Sequence, residues 1–277
     1  MNLQLFAANF KPTYWSKYCQ TELAKDLVVA NWCDYKFEGE LKYGEALNIP
    51  GAVRPTVKTY TPGTDITIES LSDTVVKLEI KFADYFAFEV DDVDKAQSRP
   101  EYLTTQFDEA KKSLAEQYDA AVAKEAATNA EPTMTSASTL ITSDNCLSVI
   151  DAGLIALYKN NVSTKEELAA DLTPEHLVAI RNKLANLFSD NVEYIKRGAV
   201  GKYNQTFLRL SNNLYNDKTD THELIRTKKA VACANQIDKM ETTRKEKGFA
   251  SIIKGLNVYG IKVVRPKEMY VIKSQNA

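Results

Sequence analysis

The strongest signal for chemistry in the sequence is a short acidic run, Asp91, Asp92 and Asp94. Hard carboxylate oxygens at this spacing could gather Mg²⁺ or Ca²⁺ and so support a metal-dependent enzyme. The plainer reading is a solvated acidic turn before a helix N-terminus, where the helix dipole favours negative charge, and it is preferred. The two histidines, His176 near a helix start and His222 in a polar loop, accompany no Ser or Cys in a nucleophile motif. Gly201-Lys202 lacks the upstream glycines of a phosphate-binding loop. Cys19, Cys33, Cys146 and Cys233 stand too far apart for a zinc or redox motif and are expected as reduced thiols. The residues therefore predict no enzyme, no cofactor and no metal centre.

Composition narrows the classes further. With 277 residues, 44% of them hydrophobic, the chain can bury a sizeable core. Lys and Arg number 35 against 37 Asp and Glu, so no basic excess exists to neutralise nucleic-acid phosphates tightly. Met1 to Phe6 has no basic stretch or long apolar run, and no later segment nears the ~18 apolar residues of a membrane helix. Neither export nor membrane insertion is expected.

The elements that would position any site follow from periodicity. Phe10-Lys11-Pro12 reads as an extended arm, then a short helix with Trp15, Tyr18, Leu23 and Leu27 on its apolar face, continued past its end by Trp32. Leu41, Tyr43, Leu47 and Ile49 alternate with polar residues as in a half-buried strand. Residues 50 to 73 are rich in Pro, Gly and Thr and read as a long solvent-facing hairpin. Alternation resumes over residues 78 to 90, with a register slip at Ala83-Asp84 that predicts a bulge. Pro100 opens a helix of about 30 residues, near ~40 Å long, carrying Leu103, Phe107, Ala110, Leu114, Tyr118 and Ala121. After a loop at Pro132, Ser163 with Glu166 makes a capping-box pattern, and Thr173-Pro174 starts a helix through Leu177, Ile180, Leu184 and Leu187. The last third turns to strand patterns at residues 207 to 210, 230 to 234 and 252 to 264. Segregated helices and strands make the class α+β.

Several strings within this order carry a family likeness. Phe37-Glu38-Gly39-Glu40 with Gly44 and Leu47-Asn48-Ile49, then Tyr60-Thr61-Pro62-Gly63-Thr64-Asp65-Ile66, resemble the entry and tip of an extended loop. The run from Lys81 through Phe86-Ala87-Phe88-Glu89-Val90-Asp91-Asp92-Val93-Asp94 to Gln97 resembles the lead into a spine helix. Gly201-Lys202-Tyr203 through Leu214, and Phe249 through Tyr259-Gly260-Ile261 to Pro266, resemble an inner lobe and its closing strands. Together they resemble the major capsid proteins of tailed bacteriophages, which have the Hong Kong 97-type capsid fold; residues 131 to 190 are the least similar part.

That resemblance implies an N-terminal arm and short helix over 1–36, an extended loop over 37–75, a peripheral domain with the spine helix over 76–135, an axial domain over 136–235, and closing strands over 236–277 that return to the peripheral domain. It implies a structural protein that assembles through pentamers and hexamers into an icosahedral shell around double-stranded DNA, located in the virion and assembled in the host cytoplasm. Contacts between copies would fall on the arm and loop, at Phe6, Phe10, Trp15, Tyr43, Val53, Arg54, Val57, Lys58 and Tyr60. Apolar area buried there stabilises by roughly 2.5 kcal/mol per hundred Å². Expected partners are a separate scaffolding protein, since no long helical leader precedes the arm, together with a portal protein and decoration proteins. Some relatives cross-link Lys to Asn, but no catalytic carboxylate is marked beside Lys42 or Lys58, so no cross-link is expected. The nearest rival is an encapsulin-type nanocompartment, which shares the fold; the Asp91 to Gln97 run favours the phage. An adaptor or tail protein would form rings or tubes instead.

Overall fold

A computed structural model describes residues 27–36, 46–50, 57, 59, 62–63, 65, 75–91, 101–183, 199–245 and 248–275. The Pro-rich stretch is flanked by β1 (Ala46–Pro50) and β2 (Val75–Glu79), which pair antiparallel from Ala46 opposite Glu79 to Pro50 opposite Val75. Ile49 and Leu78 are the buried residues of this ribbon, as the alternation requires. The expected strand over 37–49 is thus present at its C-terminal end, and 37–45 lie outside the described residues.

The predicted bulge at Ala83-Asp84 is not there. The chain leaves the ribbon at Ile80-Lys81, and β3 (Phe82–Asp91) pairs without interruption in a different sheet. The alternation itself does not slip: Leu78, Ile80, Asp84, Phe86 and Phe88 keep one parity while the chain passes from one sheet to the next. α1 follows (Glu101–Thr128), 28 residues or about 42 Å at the standard rise. Leu114 and Tyr118 bury as the spacing predicts, and the stripe extends through Ala115, Val122, Ala123 and Ala126. These small residues let the helix lie close against the strands beneath it.

α2 spans Cys146–Lys159. Ser163 and Glu166 do not cap a helix: Ser163 Oγ accepts the Lys165 amide in a turn, and β4 (Leu168–Leu172) follows. All five residues of β4 are buried, so tertiary burial overrides the local capping pattern. Thr173-Pro174 does open a helix, α3 (Pro174–Lys183), where Thr173 Oγ1 accepts the His176 amide at 3.3 Å. Leu184 and Leu187 lie outside the described residues.

The C-terminal part supplies β5 (Ala199–Tyr203), β6 (Thr206–Leu210), β7 (Tyr215–Asn216), β8 (Asp220–Thr227), β9 (Val231–Arg244), β10 (Ala250–Val263) and β11 (Met269–Gln275). One sheet has the order β3-β10-β9, and its bulge falls in the β9/β10 pairing at Leu256/Asn257. The other has the order β11-β8-β4-β6-β5, with β7 on β8; β4 and β6 are parallel and their neighbours antiparallel. Within residues 236–277, β10 therefore joins the first sheet and β11 the second. His222, read as a loop residue, sits inside β8 and is buried. One core gathers α1 against β9, β10 and β11 through Tyr118, Val231, Ile261 and Val271; another gathers α2 and α3 on the larger sheet through Ile150, Leu157, Ile180 and Ile225.

Candidate functional site

No three His, Cys, Asp or Glu side chains converge among the described residues as a metal would need. What the fold builds instead is a grip on one backbone segment. β4 and β6 are mostly apolar, yet each carries one buried charge, Asp171 and Arg209, and the more polar β8 beside them buries Arg226. Parallel register sets Asp171 directly opposite Arg209. Charges so placed must pair, because an isolated ion in this interior is prohibitively costly.

Asp171 is the shared acceptor. Arg209 Nε donates to its Oδ1 at 2.7 Å, and Arg226 Nη2 donates to its Oδ2 at 3.2 Å. Other guanidinium hydrogens reach the chain at residues 28–32, while Arg209 Nη1 is buried without a hydrogen-bond partner among the described residues. Arg209 Nη2 donates to the Val28 carbonyl, and Arg226 donates to the carbonyls of Val29 at 2.6 Å and Trp32 at 2.7 Å. From the opposite side Asp119 of α1 accepts the amides of Val28, Val29 and Ala30 at 2.8, 3.3 and 2.8 Å. Two aspartates and two arginines thus cancel in charge while holding both donors and acceptors of one short stretch of main chain. Trp32 completes the seat, edge-on to Phe207 with ring centroids 5.5 Å apart.

Burial raises the Asp119 carboxyl above its usual range against the pull of the three amides, and Asp171 adds to the rise. Burial likewise lowers Arg209, only partly offset by Asp171. In Arg226 burial is outweighed by Cys33 and Asp171, and its guanidinium is held above the ordinary value. Past Trp32 the segment runs beside β9, where the Asp34 amide donates to Val231 O at 2.9 Å and the Cys233 amide to Asp34 O at 3.0 Å. The chain preceding Leu27 therefore starts from a fixed point between α1 and the larger sheet.

The β1–β2 ribbon has its own root. Ile49, Leu78 and Ile80 pack with Ala232, Ala234 and Val258 of β9 and β10. Gly260 is required beneath it, since a Cβ there would stand 2.6 Å from the Glu79 carbonyl oxygen. Val57 is 95% exposed, so none of the described residues covers it. Tyr85 on β3 and Phe249 at the β9–β10 turn are likewise exposed, at 75% and 79%.

His176 has a structural place. Its Nδ1 lies 2.5 Å from Glu223 Oε2 and its Nε2 3.0 Å from the Cys146 carbonyl, so both ring nitrogens face acceptors. Burial opposes the imidazolium, but Glu223 and that carbonyl outweigh it and raise the pKa. His222 Nε2 meets Asp217 Oδ2 at 3.2 Å, ordering the turn before β8.

Of the contact residues expected from sequence, only Val57 is described; Phe6, Phe10, Trp15, Tyr43, Val53, Arg54, Lys58 and Tyr60 lie outside the described residues. Asp91 ends β3 opposite Ala250, and Asp92 and Asp94 also lie outside them. Sequence reading missed Asp119, Asp171, Arg209 and Arg226. The available signal was a charge set among apolar neighbours at Asp171 and at Arg209; nothing in the local pattern marked Asp119 or Arg226.

With this geometry in hand, comparison with known proteins defines the class. No protein-family model matches the sequence, and no curated protein matches it. Solved structures do. A chain from Mycobacterium phage Che8 aligns with TM-score 0.69 and 26% identity, covering 89% of this chain and 90% of that one. The capsid of Ralstonia phage GP4 aligns with TM-score 0.67 and 12% identity over 89% and 87%. An encapsulin complex from Synechococcus elongatus aligns with TM-score 0.56 and 11% identity over 73% and 76%. The chain has the Hong Kong 97-type capsid fold. This is the fold of tailed-phage major capsid proteins, as the sequence resemblance implied.

Proposed function

We propose that the chain is the major capsid protein of a tailed phage, joining copies of itself through pentamers and hexamers into an icosahedral shell that encloses double-stranded DNA. The observation that carries this reading is the likeness to the Che8 chain, which extends over nine-tenths of both chains at 26% identity. Three features suit the same reading: a segment clamped at residues 28–32, a rooted β1–β2 ribbon, and an exposed Val57. Burial of such apolar surface against a second copy drives association without covalent chemistry. The functional division follows: arm over 1–36, extended loop over 37–75, peripheral domain over 76–135, axial domain over 136–235 and closing strands over 236–277. Inter-subunit contacts fall on Phe6, Phe10, Trp15, Tyr43, Val53, Arg54, Val57, Lys58 and Tyr60. A separate scaffolding protein and a portal protein complete the particle, which forms in the host cytoplasm, and the subunit performs no catalysis.

Negative-stain electron microscopy of the protein, alone and with candidate scaffolding proteins, tests the reading. Closed polyhedral shells, or pentamers and hexamers that convert to them, support it. Protein that stays monomeric throughout, or forms only rings or tubes, refutes it. The encapsulin likeness keeps a nanocompartment as the second reading; particles recovered with a cargo enzyme instead of DNA would favour that one.

A further inference from the structure

Cys33 and Cys233 meet where the clamped segment passes β9. Both are fully buried in the same apolar cluster. Their neighbours Asp34 and Ala232 form a parallel bridge, which brings the two backbones side by side. The Cys33 sulfur receives Arg226 Nη1 at 3.3 Å and interacts with the Cys233 thiol. We propose that Cys33 and Cys233 are a disulfide-forming pair that closes in the presence of a small dialkyl disulfide, tying the clamped segment covalently to β9.

The environment assigns the two sulfurs different parts. Burial opposes ionisation of Cys33, but the Cys233 thiol and the Arg226 guanidinium outweigh it and bring the thiol down from 9.0 to about 7. Burial and the neighbouring Cys33 push Cys233 the other way, well above its ordinary value. Cys33 is therefore the attacking thiolate and Cys233 the resolving thiol. Cys33 attacks one sulfur of the oxidant, breaking its S–S bond and expelling one alkyl thiolate, which takes the Cys233 proton. Cys233 then attacks Cys33 Sγ and expels the second alkyl thiolate, which takes up the proton that Cys33 gave to solvent. One protein disulfide and two small thiols result, so electrons and protons balance. Because both sulfurs are buried, the oxidant enters when residues 27–36 lift transiently from their seat. Cys146 is a built-in comparison: it lies in the other core and donates to the Ser143 carbonyl at 3.4 Å.

The test treats the full-length protein with 2-hydroxyethyl disulfide at pH 8, quenches with acid, and maps peptides by mass spectrometry. The expected product joins the Cys33 and Cys233 peptides with loss of two hydrogens and separates again with dithiothreitol. Closing a loop of about 200 residues should also raise the thermal midpoint, on the order of 5 °C. In Cys233→Ser, its fold checked by Trp fluorescence, the reaction should stop with a hydroxyethylthio group on Cys33. Recovery of Cys33 and Cys233 unlinked in the wild-type chain, whether reduced or each carrying an adduct, overturns the pairing. An unmodified Cys33 in Cys233→Ser overturns its role as the attacking sulfur.

Discussion

Asp171→Asn removes one charge from the clamp and almost nothing from its shape. Arg209 and Arg226 remain at 1% and 0% exposure, so solvent cannot screen the charge they are left with. Removing one partner of a buried ion pair costs about 3–5 kcal/mol. Here the carbonyls of Val29 and Trp32 still accept from Arg226, and Asp119 still faces the same stretch of chain. The lower end, about 3 kcal/mol, is therefore expected, equivalent to a fall of roughly 6–12 °C in Tm for a chain of this size. The assay is urea unfolding of unassembled subunits, followed by Trp32 emission in a Trp15→Phe background, since Trp32 sits beside Phe207 and Arg209. Adding Arg209→Met restores neutrality, and the double variant should be less destabilised than the sum of the singles by about 1 kcal/mol or more. If Asp171→Asn unfolds within about 1 kcal/mol of wild type, or the two substitutions simply add, the clamp is not electrostatic in the way described.

Four further outcomes are expected. Asp119→Asn should speed hydrogen exchange at the amides of residues 28–30 by tenfold or more, because a charged acceptor is worth roughly 1.5–3 kcal/mol over a lost one; unchanged exchange would deny Asp119 its part. The folded-state pKa of His176 is raised above the unfolded 6.5, so its pairing with Glu223 stabilises fully below pH 6.5 and fades as pH rises through the folded value. The stability gap between wild type and His176→Gln, measured by urea titration from pH 5 to 9, should therefore shrink towards alkaline pH, and a gap that widens would reverse the assignment. Gly260→Ala should loosen β2 at a cost of about 1–3 kcal/mol, seen as faster proteolysis within residues 50–75, whereas Lys245→Ala, which breaks only an exposed pair with Glu89, should change stability by less than about 1 kcal/mol.

How far the sequence disclosed this architecture depended on the kind of signal. α1 was readable because Leu114 and Tyr118 recur at helical spacing after a proline, and β10 because a long β-rich run precedes Pro266. The Ser163 and Glu166 pattern misled because a capping box is a local rule, while Leu168–Leu172 is buried at the centre of a sheet whose partners lie far along the chain. The apparent slip near Ala83 misled because a polar residue, Asp84, holds an inward position of an unbroken alternation, where it accepts the Tyr259 hydroxyl. The clamp was the least legible part. Asp119, Asp171, Arg209 and Arg226 come from four separate elements, and only the topology brings them to one stretch of backbone.

The grip on residues 28–32 also has a place in time. The carbonyls it holds are translated early, but Arg209 and Arg226, which receive them, lie 181 and 197 residues further along. At typical elongation rates of about 5–20 residues per second, the segment waits roughly 10–40 s before its seat exists. A chain that stops short of Arg226 cannot close the clamp, so a fixed position for residues 28–32 comes only late in synthesis. Synthesis thereby sets an order of events: the strands that carry both arginines first, and only then a held segment near the start of the chain.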